Sequence, residues 1–384
     1  MVRLLGGLQR PETLAFVISG FGRLLRNAFD TQRTYLPGSL VALECEQELL
    51  MLLWSFAHHS RAFLGALLAA PELADVLMAV CFCVLSWAAD AQHSSLVHLC
   101  TLTLLVISAE PGFGAAAQAP CPHSLPLKGR AARATSGSLA DLLVGAAAEV
   151  LLGGHARLES VHPAALAVIA NVTPHAHSLS ADATARLLQC LGLLTAPRYL
   201  LASPARPDSL LVLLEALNAA LLHPPQPNEA LIHGLVLLSA ELGALRALKP
   251  ADAHDDEADG GGAGPPLAAE SEAFVPTLAW MKGWQARLPL EPISIVLDAL
   301  LPQLQHLQDA RADAVADAVA HALRATPLSE LLPPPPPVSV RRYQPNELSY
   351  VWITQVLWGI VYSRNQHLYD ARRVRLVQVV QVGQ

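Results

Sequence analysis

Apolar residues in this chain recur at helical spacing from one end to the other, and strand-like alternation is nearly absent. The pattern is densest over 76–109, where Asp90 is the only formal charge. Two apolar runs lie there, Val76 to Ala89 and Ser95 to Ala109, joined by the polar turn Asp90-Ala91-Gln92-His93-Ser94. As a helix the first run reaches about 21 Å. A bilayer core is about 30 Å thick and takes roughly 20 apolar residues. The pair is therefore read as two antiparallel helices buried in protein, with Leu85 and Leu104 facing the core. A membrane-inserted hairpin is the alternative.

Amphipathic helices are predicted on both sides of this pair. Gln9 to Asn27 carries Pro11 in its first turn and Leu14, Val17, Phe21, Leu24 and Leu25 on one face. Ala42 to Ala57 follows with Leu49, Leu50, Leu53 and Trp54 as its stripe, then Arg61 to Ala69, stopping at Pro71. Beyond the pair, Glu110-Pro111-Gly112-Phe113-Gly114 is a turn and Ala115 to Gly137 a long loop rich in Ala, Pro and Gly. Helices resume at Ser138 to Leu152, with Ser138 as N-cap and Gly153-Gly154 as the stop. They continue at His155 to Val172, Ser180 to Thr195, Asp208 to Leu222 and Asn228 to Leu248. The repeating helix, short turn, helix pattern defines the expected fold. It is all-α, an irregular α-solenoid of stacked helical hairpins of the HEAT/armadillo kind, without a fixed-length sequence repeat.

One segment breaks the pattern. Lys249 to Ala273 holds Asp252, Asp255, Asp256, Glu257 and Asp259, then a glycine run and Pro265-Pro266. Such a stretch cannot bury a core and is predicted to be a disordered acidic Gly/Pro linker. The expected organisation is thus a helical-hairpin array over 1–248, the linker over 249–273 and a C-terminal helical region over 274–384. In the last region helices are predicted from Phe274 through Trp280, Trp284 and Leu288, over Pro292 to Leu307 and over Arg311 to Leu323. Pro333 to Pro337 reads as a stiff polyproline connector. A final aromatic helix spans Asn346 to Tyr362, with Trp352 and Trp358 expected to pack inward, and Val374 to Val382 reads as a short strand or an extended segment.

Composition narrows the function. At 53% hydrophobic and 15% charged, the 384 residues suffice for a large core. The net charge of −7 argues against nucleic acid as a partner, because phosphate binding needs a basic face. The 6 cysteines are scattered without Cys-x-x-Cys spacing, which fits a reducing compartment better than a disulfide framework. No signal peptide is read at Met1-Val2-Arg3-Leu4-Leu5, and Val2 in place of glycine gives no myristoylation signal there.

No catalytic, cofactor-binding or metal-binding residues are assigned. Cys81 and Cys83 lie two apart on a helix, point to different faces and read as core residues. His155, His162, His175 and His177 provide no placed set of metal ligands, and nothing orients His123 towards Cys121 as a thiol–imidazole pair. A metal- or thiol-dependent enzyme is the remote alternative. Asn171-Val172-Thr173 matches a glycosylation sequon by chance. Basic charge gathers at the end: beyond Pro337, six arginines face Glu347 and Asp370, a net of +4. Arg341, Arg342, Arg372, Arg373 and Arg375 are the candidate surface for an anionic membrane or an acidic partner.

Tyr35-Leu36-Pro37, Gln47-Glu48-Leu49-Leu50 through Trp54, Ala140-Asp141-Leu142-Leu143-Val144 and Ile169-Ala170-Asn171-Val172-Thr173-Pro174 are among several blocks that resemble the high-temperature-induced dauer-formation protein family, a relative of dymeclin. Trp284 through Leu288-Pro289-Leu290, Arg341-Arg342-Tyr343-Gln344 and Trp358-Gly359-Ile360-Val361-Tyr362 complete the set. The blocks stand in family order over nearly the whole chain and correspond to the C-terminal half of family members. The resemblance implies a cytosolic, non-enzymatic helical scaffold without cofactors, peripheral on Golgi and trans-Golgi membranes. Its partners would be proteins of the trafficking machinery that sorts secretory-vesicle cargo. It supplies no catalytic residues.

Overall fold

The computed structural model describes residues 6–34, 39–127, 137–153, 156–224, 228–249, 274–304, 312–326, 328–345, 351–355, 358–359 and 362. Among them there is no strand, and an isolated bridge pairs Pro120 with Ser138.

The central hairpin is α4 (Leu73–Trp87) and α5 (Ser94–Ser108). Every side chain of α4 from Val76 to Leu85 is buried. The hydroxyls buried in α5 are satisfied within the helix: Thr101 donates to the Val97 carbonyl and Thr103 to that of Leu99, both at 2.8 Å. Asp90 closes the turn by accepting the Gln92 amide at 2.8 Å, and His93 stacks on Trp87 with centroids 4.0 Å apart. With its preceding 3-10 turn, α5 reaches the length of a membrane span, Ala91–Ser108, but this hairpin is enclosed by other helices.

Around it, hairpins stack in two layers. One layer runs α1 (Pro11–Arg33), α4, α7 (Leu139–Leu152), α9 (Ala181–Thr195), α12 (Glu229–Leu237) and α16 (Ala312–Ala325), each packed on the next. The other runs α2 (Glu46–His59), α5, α8 (His162–Val172), α11 (Arg206–Leu222) and α15 (Glu291–Leu304). Neighbours in sequence pack across the layers, α4 on α5 and α7 on α8, so the chain is an α-solenoid of stacked hairpins. Short helices α3 (Arg61–Ala69), α6 (Phe113–Ala117), α10 (Pro197–Leu200), α13 (Ser239–Ala244), α14 (Leu278–Gln285) and α17 (Leu328–Leu331) fill the turns and ends.

Helix α7 lies at the middle of the first layer, with every side chain from Leu139 to Ala148 buried. Its small residues Gly145 to Ala148 let neighbouring helices come close. A capping box starts it: Ser138 Oγ accepts the Asp141 amide, and the Asp141 carboxylate accepts the Ser138 amide at 2.9 Å. The other oxygen of Asp141 accepts the Ser180 amide at 2.7 Å, which ties the start of α9 to the start of α7. Arg186, buried on α9, forms an ion pair with the half-buried Glu149 on α7.

Several expected boundaries move. Helix α1 extends to Arg33, and its buried stripe is Leu14, Ile18, Phe21, Leu25 and Phe29. Leu24, placed on that face by the sequence, is exposed, and Val17 is half-buried. The helix expected over His155 to Val172 is broken, because Pro163 fits only a first turn and so starts α8 after a 3-10 segment, Ala156–Val161. That expected over Asn228 to Leu248 divides at Leu238 into α12 and α13. The predicted linker lies outside the described residues from 250 to 273, as does the extended tail.

Candidate protein-binding groove

After α17 the chain runs extended over 333–345 and crosses the outer face of the second layer. The polyproline run is thus a strap laid on the solenoid. Its Pro333, Pro334, Pro336 and Pro337 line a cavity of about 580 Å³ with Glu215 and Asn218 of α11. Further on, Arg341 to Gln344 and Trp352 line a cavity of about 870 Å³ against α5, α8 and α11. Trp352 packs on His98 of α5 at 6.1 Å between centroids, and Tyr343 on His58 of α2 at 5.5 Å. The strap therefore meets four successive hairpins.

Its central anchor is Asn171, buried on α8. The side-chain amide donates to the Arg341 carbonyl at 2.8 Å, and its oxygen accepts the Arg341 amide at 2.7 Å. One side chain thus reads both polar groups of one residue, as a neighbouring strand would. The Arg341 guanidinium reaches Glu215 of α11 and pairs with its carboxylate. Asn218, one hairpin further along, donates to the Pro289 carbonyl at 2.6 Å. Its own Oδ1 is buried without a hydrogen-bond partner.

The expected surface residues divide. Arg341 is engaged by Asn171 and Glu215 within the chain, Arg342 is exposed on the strap, and Arg372, Arg373 and Arg375 lie outside the described residues. Trp352 is half-buried against the second layer, whereas Trp358 is exposed.

Of the other candidates, Cys81 and Cys83 join the core, Cys121, His123, His162 and His175 are half-buried, His177 is exposed and His155 lies outside the described residues. Cys81 and Cys83 are both buried; burial pushes the Cys81 thiol well up, and Cys83 donates to the Glu46 carboxylate at 2.8 Å. Cys121 is pushed up to about 11 by desolvation, and His123 faces Asp75 at 3.4 Å. Thiols held protonated in this way are poor nucleophiles and ligands. The His175 ring lies against Gly114, where a side chain would collide with it. Among the described residues, no three His, Cys, Asp or Glu side chains gather as a metal site.

Asn171, Asn218 and Glu215 are the site residues that sequence patterning missed. The signal was present: each asparagine is the lone amide of a largely apolar helix, Ala-Val-Ile-Ala-Asn and, beside Glu215, Leu-Glu-Ala-Leu-Asn. A lone amide in such a run is costly to bury unless a partner arrives from elsewhere in the fold.

Fold and groove together define a helical-repeat solenoid that holds an extended polypeptide against its second layer. The chain belongs to the dymeclin family: the family model described as "Dymeclin: Dyggve-Melchior-Clausen syndrome protein" matches residues 2–360. It is 23% identical to Protein HID1 of Homo sapiens over 449 residues, covering 95% of this chain and 56% of that protein. A Dictyostelium discoideum Protein HID1 is 24% identical over 63% of this chain and 26% of its own length. The "Ubp5-interacting protein ftp105" of Schizosaccharomyces pombe is 23% identical over the same shares. The chain spans about half the length of the mammalian relatives it matches. No solved structure matches it.

Proposed function

We propose that this chain is part of a non-enzymatic scaffold that holds trafficking proteins together on the cytosolic face of Golgi and trans-Golgi membranes during secretory-vesicle sorting. The observation that carries the binding role is the grip of Asn171 on the backbone of Arg341. A solenoid face that holds an extended segment through its main chain has the chemistry of a peptide-binding surface. Membership of the dymeclin family supports the reading, and the name of the fission-yeast relative speaks of a protein partner for that relative. Peripheral membrane contact is assigned to Arg342 with Arg372, Arg373 and Arg375, since Arg341 is committed to Glu215. Each such arginine near an anionic surface contributes about 1 kcal/mol and weakens with salt.

Proximity labelling in cells tests this reading. The tagged chain should enrich Golgi trafficking proteins, and alkaline carbonate should release it from membranes. Labelling dominated by another compartment would refute the trafficking role. Retention after carbonate would favour the inserted hairpin.

A further inference from the structure

We propose that the groove between α8 and α11 binds proline-rich, arginine-bearing extended segments of partner proteins, and that the strap over 333–345 is the resident occupant they displace. The inference rests on the scaffold reading above and names its class of partner.

Three features set the specificity. Asn171 accepts any residue that has both an amide hydrogen and a carbonyl, and so excludes proline at that one position. Glu215 selects a cation on the same residue, and the guanidinium it holds stands four residues after the last proline of the run. The prolines before it are extended in advance, so little chain entropy is lost on docking.

Two further observations show that the resident strap is an imperfect ligand. Its side chains from Pro334 to Val340 are exposed, and cavities of about 580 and 870 Å³ remain beside it. Asn218 is 8% exposed and lines the smaller cavity, yet its Oδ1 has no donor. The strap prolines that line the same cavity have no amide hydrogen to offer. A partner segment with larger apolar side chains fills what the strap leaves open. The strap persists because it is tethered: a covalently linked segment competes at an effective concentration of order millimolar. A partner segment must outbid that, which makes the groove selective.

The test uses a fluorescent peptide with the sequence of residues 331–345, read by anisotropy against the whole chain. Arg341→Pro in the chain removes the strap's amide and its cation together, and peptide affinity should rise at least tenfold over the unaltered chain. Adding Glu215→Arg should remove that gain, and a peptide with glutamate in place of its arginine should restore it. Arg341→Glu in the chain, which sets two carboxylates face to face, provides a second way to open the strap should the proline variant misfold. Peptide binding should also strip hydrogen-exchange protection from the Arg341 amide of the unaltered chain. Equal peptide affinity for opened and unaltered chains, or indifference to Glu215→Arg, would overturn the proposal. So would a concentration-dependent dimer in which a second copy supplies the strap. These failures would leave the cellular trafficking test untouched, so the two readings fall separately.

Discussion

Asp141 offers a sharp test of how the hairpins are joined. Its carboxylate accepts from the Ser138 amide and hydroxyl at 2.9 Å through one oxygen and from the Ser180 amide at 2.7 Å through the other. It sits at the N-terminal ends of both α7 and α9, where negative charge is favoured. Asp141→Ala removes one half of a capping box, about 1 kcal/mol. It also removes a charge-assisted bond to Ser180, about 1.5–3 kcal/mol. The expected loss is about 2–4 kcal/mol. Asp141→Asn keeps one acceptor oxygen, so it should lose roughly half as much. Urea unfolding gives the global figure. Amide hydrogen exchange gives the local one: Ser138 and Ser180 should both speed up in Asp141→Ala. A loss below about 0.5 kcal/mol with no change at Ser180 would refute the idea that one carboxylate couples two helix starts.

Four further outcomes are expected. Leu104→Ala, at a fully buried position of α5, should cost about 2–5 kcal/mol in urea unfolding, as should Leu85→Ala on α4. Gly153→Ala sets a methyl group 2.8 Å from the Ala88 carbonyl, and the forced shift should cost about 1–3 kcal/mol in the same assay. Burial lowers the pKa of His162, as it does for His58 and His175, so the unfolded chain binds protons that the folded chain refuses. Stability should therefore be full above about pH 6.5 and fall as pH drops below it; a flat unfolding midpoint from pH 7.5 to 5.5 would contradict this. In native protein, maleimide should label exposed Cys45 quickly and leave Cys81, Cys83, Cys100 and Cys190 unmodified until urea is added, as mass spectrometry would read.

Apolar spacing alone determined the fold class and the core. The run over 76–109 has almost no polar surface, so burial between other helices was the low-energy outcome. Local rules were equally legible. Ser138 caps its helix and Pro11 sits in a first turn as read, because caps depend on residues within one helical turn, and Ser180 and Asn228, read as helix starts, prove to be caps as well. Exact faces were less so: Leu24 and Leu25 are both apolar, and packing against α4 decided which one is buried.

Only the tertiary structure decided the groove. Asn171 and Arg341 are 170 residues apart, and no periodicity in the chain connects them. The same holds for Glu215 and Arg341, and for His58 and Tyr343. Hydrophobic pattern is a local quantity, since each residue either faces the core or does not. Which polar group meets which is set by the stacking of hairpins, and that stacking made an arginine read as a contact for an anionic membrane or an acidic partner the clasp of a strap.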